Sequence, residues 1–410
     1  METQTTFSTL PVQLSETETE TVARRWFGTG RSVDSDARVA GSQAASAALD
    51  GRRASLVVVF CPATIDLAAM LEAVRAEAGD VPLIGCTGAS QYTAEDPAEP
   101  AVVVSALGGE GFEIHTSVAM NVSAGQRVAG EHVGESVHSL TREHRMLLLL
   151  CDGLAGNQHE LVRGAYTVVG ATVPLAGGCA SDALAYVETS QFYSDSAGVH
   201  IVSNAVVAAA IGSEAPIGIA AAHGWRRVGE PMLVTSSESG HVSTLDGEPA
   251  LDVFLRHTGA TRSILDDAQE FRAFSLNHPF GLSRRSGEDI RVVHRCDPED
   301  GSITCLGGVP QGTLLWAMEA DQPGVLASVD EAYDDALAQL DGAPPLGLLA
   351  FDCVVRHLFL GKDGVSEEVD RLAGRASGAP VAGFYTYGEV ARTRGARGMH
   401  YVTLVLVAFA

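Results

Sequence analysis

One short pattern occurs three times in this chain and constrains its fold more than any other feature. Each copy has an apolar run ending near a cysteine, a polar turn, an amphipathic stretch, an X-Pro step and a second apolar run closing on glycine. The copies occupy 55–90 (SLVVVFCPATI to DVPLIGCTGAS), 146–183 (MLLLLCDGLAGN to TVPLAGGCASDA) and 346–389 (LGLLAFDCVVRH to APVAGFYTYGE). Punctuation that repeats while loop lengths differ points to one supersecondary unit used again, and the unit is βαβ-like. Such units bring their loops to one edge of a sheet, so a binding site is expected there. Cys61, Cys151 and Cys353 are expected at equivalent strand ends.

A chain of 410 residues exceeds one ordinary core, so two domains are expected. Acidic residues outnumber basic ones 51 to 27, and the net charge of -24 repels phosphate backbones and anionic lipid surfaces. Nucleic acid and membranes are therefore excluded as expected partners. The 7 cysteines include no Cys-x-x-Cys pair, so neither a disulfide framework nor a zinc knuckle is expected, and a reducing cytoplasm fits. The N-terminus lacks the basic and apolar segments of a signal peptide.

Residues 26–28 read as a first short strand, with Asp34 or Ser35 capping a helix to about Leu49. The runs 56–60 and 146–150 are continuous and apolar, the pattern of strands covered on both faces. A linking helix is expected at about 122–140, an antiparallel meander through 191–211, and a hairpin around Asp297-Pro298-Glu299-Asp300-Gly301. The expected class is α/β: two domains built from related βαβ units with added antiparallel strands. Residues 1–24 read as a disordered tail, 25–215 as the first domain, 216–245 as a junction rich in Gly, Ser and Pro, and 246–410 as the second domain.

The segments CDGLAGNQHELVRGAY, VPLAGGCASD and IGCTGAS resemble the FIST N-terminal domain. LDGEPALDVF, HPFG, DPEDGSITCLGGVPQGT, FDCVVRHLFLG and PVAGFYTYGEV resemble the FIST C-terminal domain. The resemblance runs from about Phe27 to Ala410. It implies an intracellular signal-transduction sensor that binds small ligands such as amino acids, with no known catalytic reaction. The chain ends at Ala410 without an output region, so a downstream signalling protein is the expected partner. Two positions depart from the family pattern. Its Cys-x-Gly-Arg turn reads Cys353-Val354-Val355-Arg356 here, and its late His-Asn-x-Thr reads His400-Tyr401-Val402-Thr403. Some FIST-like proteins resemble haem-based nitric-oxide sensors, so His357 or His400 would be the haem ligand in that alternative; otherwise no cofactor is expected.

Arg356, placed just beyond an apolar strand, is expected to hold a ligand carboxylate bidentately, with an ion pair to Asp352 or Glu389 as the structural alternative. Cys353, Tyr385, Thr386, Tyr387 and Glu389 would form the wall of the same pocket. Asp152 could meet a ligand ammonium, and Gly177 and Gly178 could turn free N–H groups toward an anion. A cysteine-dependent enzyme is the third functional class, but it needs a base beside a thiol, with His357 and His159 as candidates.

Overall fold

The computed structural model describes residues 25–94, 100–284, 287–392 and 398–410; the tail expected at 1–24 lies outside them. The three copies become three sheets with one plan. Each sheet is centred on a parallel pair: Ala54–Pro62 beside Leu83–Gly88, His144–Cys151 beside Leu175–Cys179, and Gly347–Cys353 beside Val381–Thr386. An antiparallel strand flanks the first member of each pair, namely Val102–Gly108, Ala205–Ser213 or Leu404–Phe409. The strand on the other flank is exchanged. Gln91–Thr93, made after the first copy, joins the third sheet; Gln191–Asp195, made after the second, joins the first; Glu389–Arg392, made after the third, joins the second.

This cyclic exchange relates the three units by an approximate threefold. Three equivalent backbone hydrogen bonds seal the point where they cross: Ala89 N to Tyr385 O (3.1 Å), Ser181 N to Thr87 O (3.1 Å) and Tyr387 N to Cys179 O (3.2 Å). The fold is therefore α/β, built from related βαβ units with added antiparallel strands, and the two halves of the chain are interleaved because each completes a sheet of the other.

Alternation along each strand explains the uninterrupted apolar runs. Leu56, Val58 and Phe60, with Leu148, Leu150, Leu349 and Phe351, face a core shared by all three sheets. Residues of opposite parity, such as Val57 and Val59 or Leu147 and Leu149, face the outer helices. Both faces are thus covered, and a slip of one residue would exchange the two sets. That constraint corrects one expectation. Cys61 pairs with Thr87 and Cys151 with Cys179, but Asp352, rather than Cys353, pairs with Tyr385 at the matching position. Cys353 stands one residue further along, where the second unit has Asp152.

Helix Ala37–Leu49 is capped by Asp36, whose carboxylate accepts from Arg38 N and Val39 N; Asp34 instead accepts from Asp36 N in the preceding turn. The expected linking helix is helical at Gln126–Gly134, with short 3-10 turns Val122–Ala124 and Glu135–Ser139 on either side. Helix Val354–Ala376 is broken at Gly361, where φ of 62° turns the chain without a Cβ penalty.

Residues 216–245 are not a linker. Ile217–Ala222 is the edge strand of the third sheet, while Arg226–Glu238 and His241–Leu245 belong to a fourth, antiparallel sheet. Of the Gly, Ser and Pro residues that suggested a junction, Gly229 and Pro231 fall where the register shifts between Val228 and Met232; such residues mark irregular strands as well as loops. The fourth sheet has its own core around Met232, Val234, Phe254, Phe280 and Leu315. Among the described residues no helix is long and apolar enough to cross a membrane.

Candidate functional site

Equivalent turns follow the first strand of the second and third units. In the second unit the Asp152 carboxylate accepts from Leu154 N (2.8 Å), Thr189 Oγ1 (2.8 Å) and Asn204 N (2.6 Å). These internal donors hold the carboxylate, so Asp152 acts as a clasp that ties the turn to Thr189 and Asn204. In the third unit the same position is Cys353, at the cap of helix Val354–Ala376. The backbones of Val355 and Val402 and the Glu389 carboxyl surround its sulfur.

Val402 is the counterpart of Asn204, and both have left-handed φ, 59° and 50°. Asparagine adopts that conformation readily; a β-branched residue does so at a cost, and such strain collects at functional sites. Glu389 is fully buried and accepts from Thr386 Oγ1 (2.5 Å) and Thr403 N (3.2 Å). Burial pushes its carboxyl up to about 8 against the pull of these bonds, so at neutral pH it is mostly a neutral acid. Burial, followed by Glu389, raises the Cys353 thiol well above its usual range. The pair can hydrogen-bond a polar group but is not an activated nucleophile.

The mouth of this seam is aromatic. Tyr387 stacks on Tyr186 at 5.0 Å and 11°, and the Arg272 guanidinium lies 5.4 Å from the Tyr186 ring. Tyr387 donates its hydroxyl to Asp182 and accepts from Leu184 N at 2.7 Å. The Asp182 carboxylate also gathers the amides of Tyr186, Val187 and Glu188. Partial burial would raise Asp182, but the Tyr387 hydroxyl and these amides hold it below the usual carboxylate range. Three non-glycine residues of this loop, Ala183, Leu184 and Tyr186, have φ of 54°, 68° and 53°. Tyr186 is 46% exposed, so the clasp presents its ring to solvent.

Cys353, Thr386 and Glu389 are brought together, with Tyr387 next in the chain after Thr386, but Arg356 does not offer its guanidinium to a reachable pocket. It is fully buried, donating from Nε to Asp352 (2.7 Å), from Nη1 to His223 O (3.0 Å) and Ser328 Oγ (2.9 Å), and from Nη2 to Glu368. Tyr385 donates to the other oxygen of Glu368 at 3.1 Å, which places it in this buried network as well. Burial raises Asp352 well above its usual range, with Arg356 opposing and Glu368 reinforcing the shift. The same burial, with Arg356 nearby, pushes His223 down to about 4.

Gly177 and Gly178 lie within the ladder, flanked by Leu149 and Leu150 on one side and by Val390 and Glu389 on the other, so their amides serve the sheet. A Cβ at Gly177 would strike the Leu149 carbonyl.

The haem alternative finds little fit. His400 uses Nε2 on Ala391 O (2.9 Å), and His357 packs its ring edge on Tyr385 at 4.6 Å. Burial lowers both imidazoles.

Asp182, Tyr186 and Arg272 were not expected from sequence. The motif GCASDALAY offers an acid and a tyrosine, but only the strand exchange brings them to Tyr387. Arg272 lies outside the repeated units altogether.

Two family models together match most of the chain. The FIST N domain matches residues 55–248 and the FIST C domain residues 250–392. An uncharacterized protein of Mycobacterium tuberculosis is 25% identical over 400 residues, covering 93% of this chain and 99% of the relative. One from Mycobacterium bovis is 25% identical over 407 residues, covering 93% and 98%. A solved chorismatase structure aligns over 95% of this chain and 99% of its own, with 9% identity and a TM-score of 0.34.

Proposed function

From the premise that this chain belongs to the FIST family, whose domains are associated with signal-transduction sensing of small ligands, we propose that it is a sensor for a small carboxylate such as an amino acid. The ligand sits in the third-unit seam, beneath Tyr186 and Tyr387. Arg272 takes the role first assigned to Arg356: it is exposed, packed on an aromatic face, and makes no ion pair among the described residues. That single observation carries the reading, because a pre-oriented guanidinium with free donors suits a carboxylate. Deeper in the seam, the neutral Glu389 acid and the Cys353 thiol meet the ligand's polar groups. The signal passes to a separate protein in the cytoplasm through the loop that carries Tyr186.

A thermal-shift panel of amino acids and small carboxylates tests this directly, since binding to the native state raises apparent stability. At least one compound should raise the melting temperature of the parent and lose most of that effect with Arg272→Ala. A panel without any shift, or an equal shift in the variant, would sink the assignment.

A further inference from the structure

We infer that a second small-anion site lies at the opposite end of the same sheets, in the groove between the amino ends of the second and third units. The groove has a volume of about 720 Å³ and is lined by Arg145, Tyr166, Thr172, Ile217 and Arg392, among others. In a chain with 51 acidic and 27 basic residues, arginines readily find carboxylates. Arg38, Arg142, Arg256, Arg371 and Arg375 all do so. Arg145 and Arg392 have no carboxylate partner among the described residues, although Glu143 and Asp341 line the same groove.

Both side chains are nonetheless held in place. The Arg392 guanidinium lies on the Tyr166 ring, 3.0 Å from its centroid. Arg145 donates Nε to Arg142 O at 2.6 Å, which leaves its terminal nitrogens for the groove. Two anchored forks whose terminal donors have no partner among the described residues are suited to planar oxyanion recognition, so the ligand class is a small carboxylate or phosphate. The two acids at the rim disfavour large polyanions. Strand Glu389–Arg392 carries Arg392 at this groove and Glu389 at the seam, about 10 Å apart at roughly 3.3 Å per residue.

Titration calorimetry of the full chain with inorganic phosphate and with succinate tests the site. Saturable binding of at least one probe is expected, weakened at least tenfold by Arg392→Gln and by Arg145→Gln. Arg392→Lys should restore part of it. Arg272→Ala, which disables the seam proposed above, should leave this binding unchanged, so failure of one site is distinguishable from failure of the other. Absence of saturation by both probes, or unaltered affinity in both glutamine variants at unchanged ligand-free melting temperature, would overturn the inference.

Discussion

The second and third units share a backbone plan and differ in what they place at its two critical positions. At the first-strand position that pairs with Cys179 in the second unit and with Tyr385 in the third, the second unit has Cys151, an apolar filler, while the third has Asp352 at the centre of a buried ionic network. One residue further, the second unit has Asp152, whose carboxylate is fully used, and the third has Cys353, whose thiol faces a neutral acid and a strained valine. The lesson is that one copy kept the plan as a clasp while another acquired groups that are costly to bury. Expense without structural return is what marks a functional seam.

The largest expected effect breaks the third unit alone. Arg356→Ala would strand Asp352 and Glu368 without their cation, and it should cost about 3–5 kcal/mol in urea unfolding. A loss below about 1 kcal/mol would mean the network contributes little to the third unit.

Next comes pH. Glu389 is raised from 4.5 to about 8 on folding, so between those values the folded chain binds a proton that the unfolded chain does not. Its contribution is level below about pH 4.5, falls as pH rises, and levels again above about pH 8, a loss on the order of 5 kcal/mol. Unfolding measured from pH 5 to pH 9 should show a shallower decline in Glu389→Gln than in the parent; parallel curves would remove Glu389 from the account.

In the second unit, Asp152→Ala leaves the amides of Leu154 and Asn204 and the Thr189 hydroxyl without their acceptor, and should cost about 2–3 kcal/mol. Ligand response at the seam should survive in the folded variant. Asn204→Val copies the third unit's residue into the second unit. Left-handed strain and the lost contacts to Ser123 should cost about 2 kcal/mol, while a neutral result would show that Val402 is not strained either.

The repeats were legible because cysteine, X-Pro and glycine punctuate each copy in the same order. The exchange was not, because Gln91–Thr93 is three residues long and pairs with strands nearly 300 residues away. The one-residue displacement of Cys353 was hidden for a related reason: a matching cysteine is a weaker guide to register than the inward set of Leu349 and Phe351. Arg356 looked like a ligand group because its second carboxylate, Glu368, comes from beyond the break at Gly361, where helical spacing no longer applies. Cys353, Thr386, Tyr387 and Glu389 were found together because they sit at strand ends of a single unit. The mouth was missed because its residues come from the end of the second copy, the loop that follows it and the helix Ala268–Asn277.

The contrast between the two turns is tested most directly by hydrogen exchange with mass spectrometry, performed with the small carboxylate that shifts the melting temperature most. Slowed exchange is expected in peptides covering 182–190, 386–389 and 400–403, with no change at 62–66, the corresponding turn of the first unit. Equal protection of all these segments, or protection that spares 386–389 and 400–403, would contradict a ligand seam built on the third unit's turn.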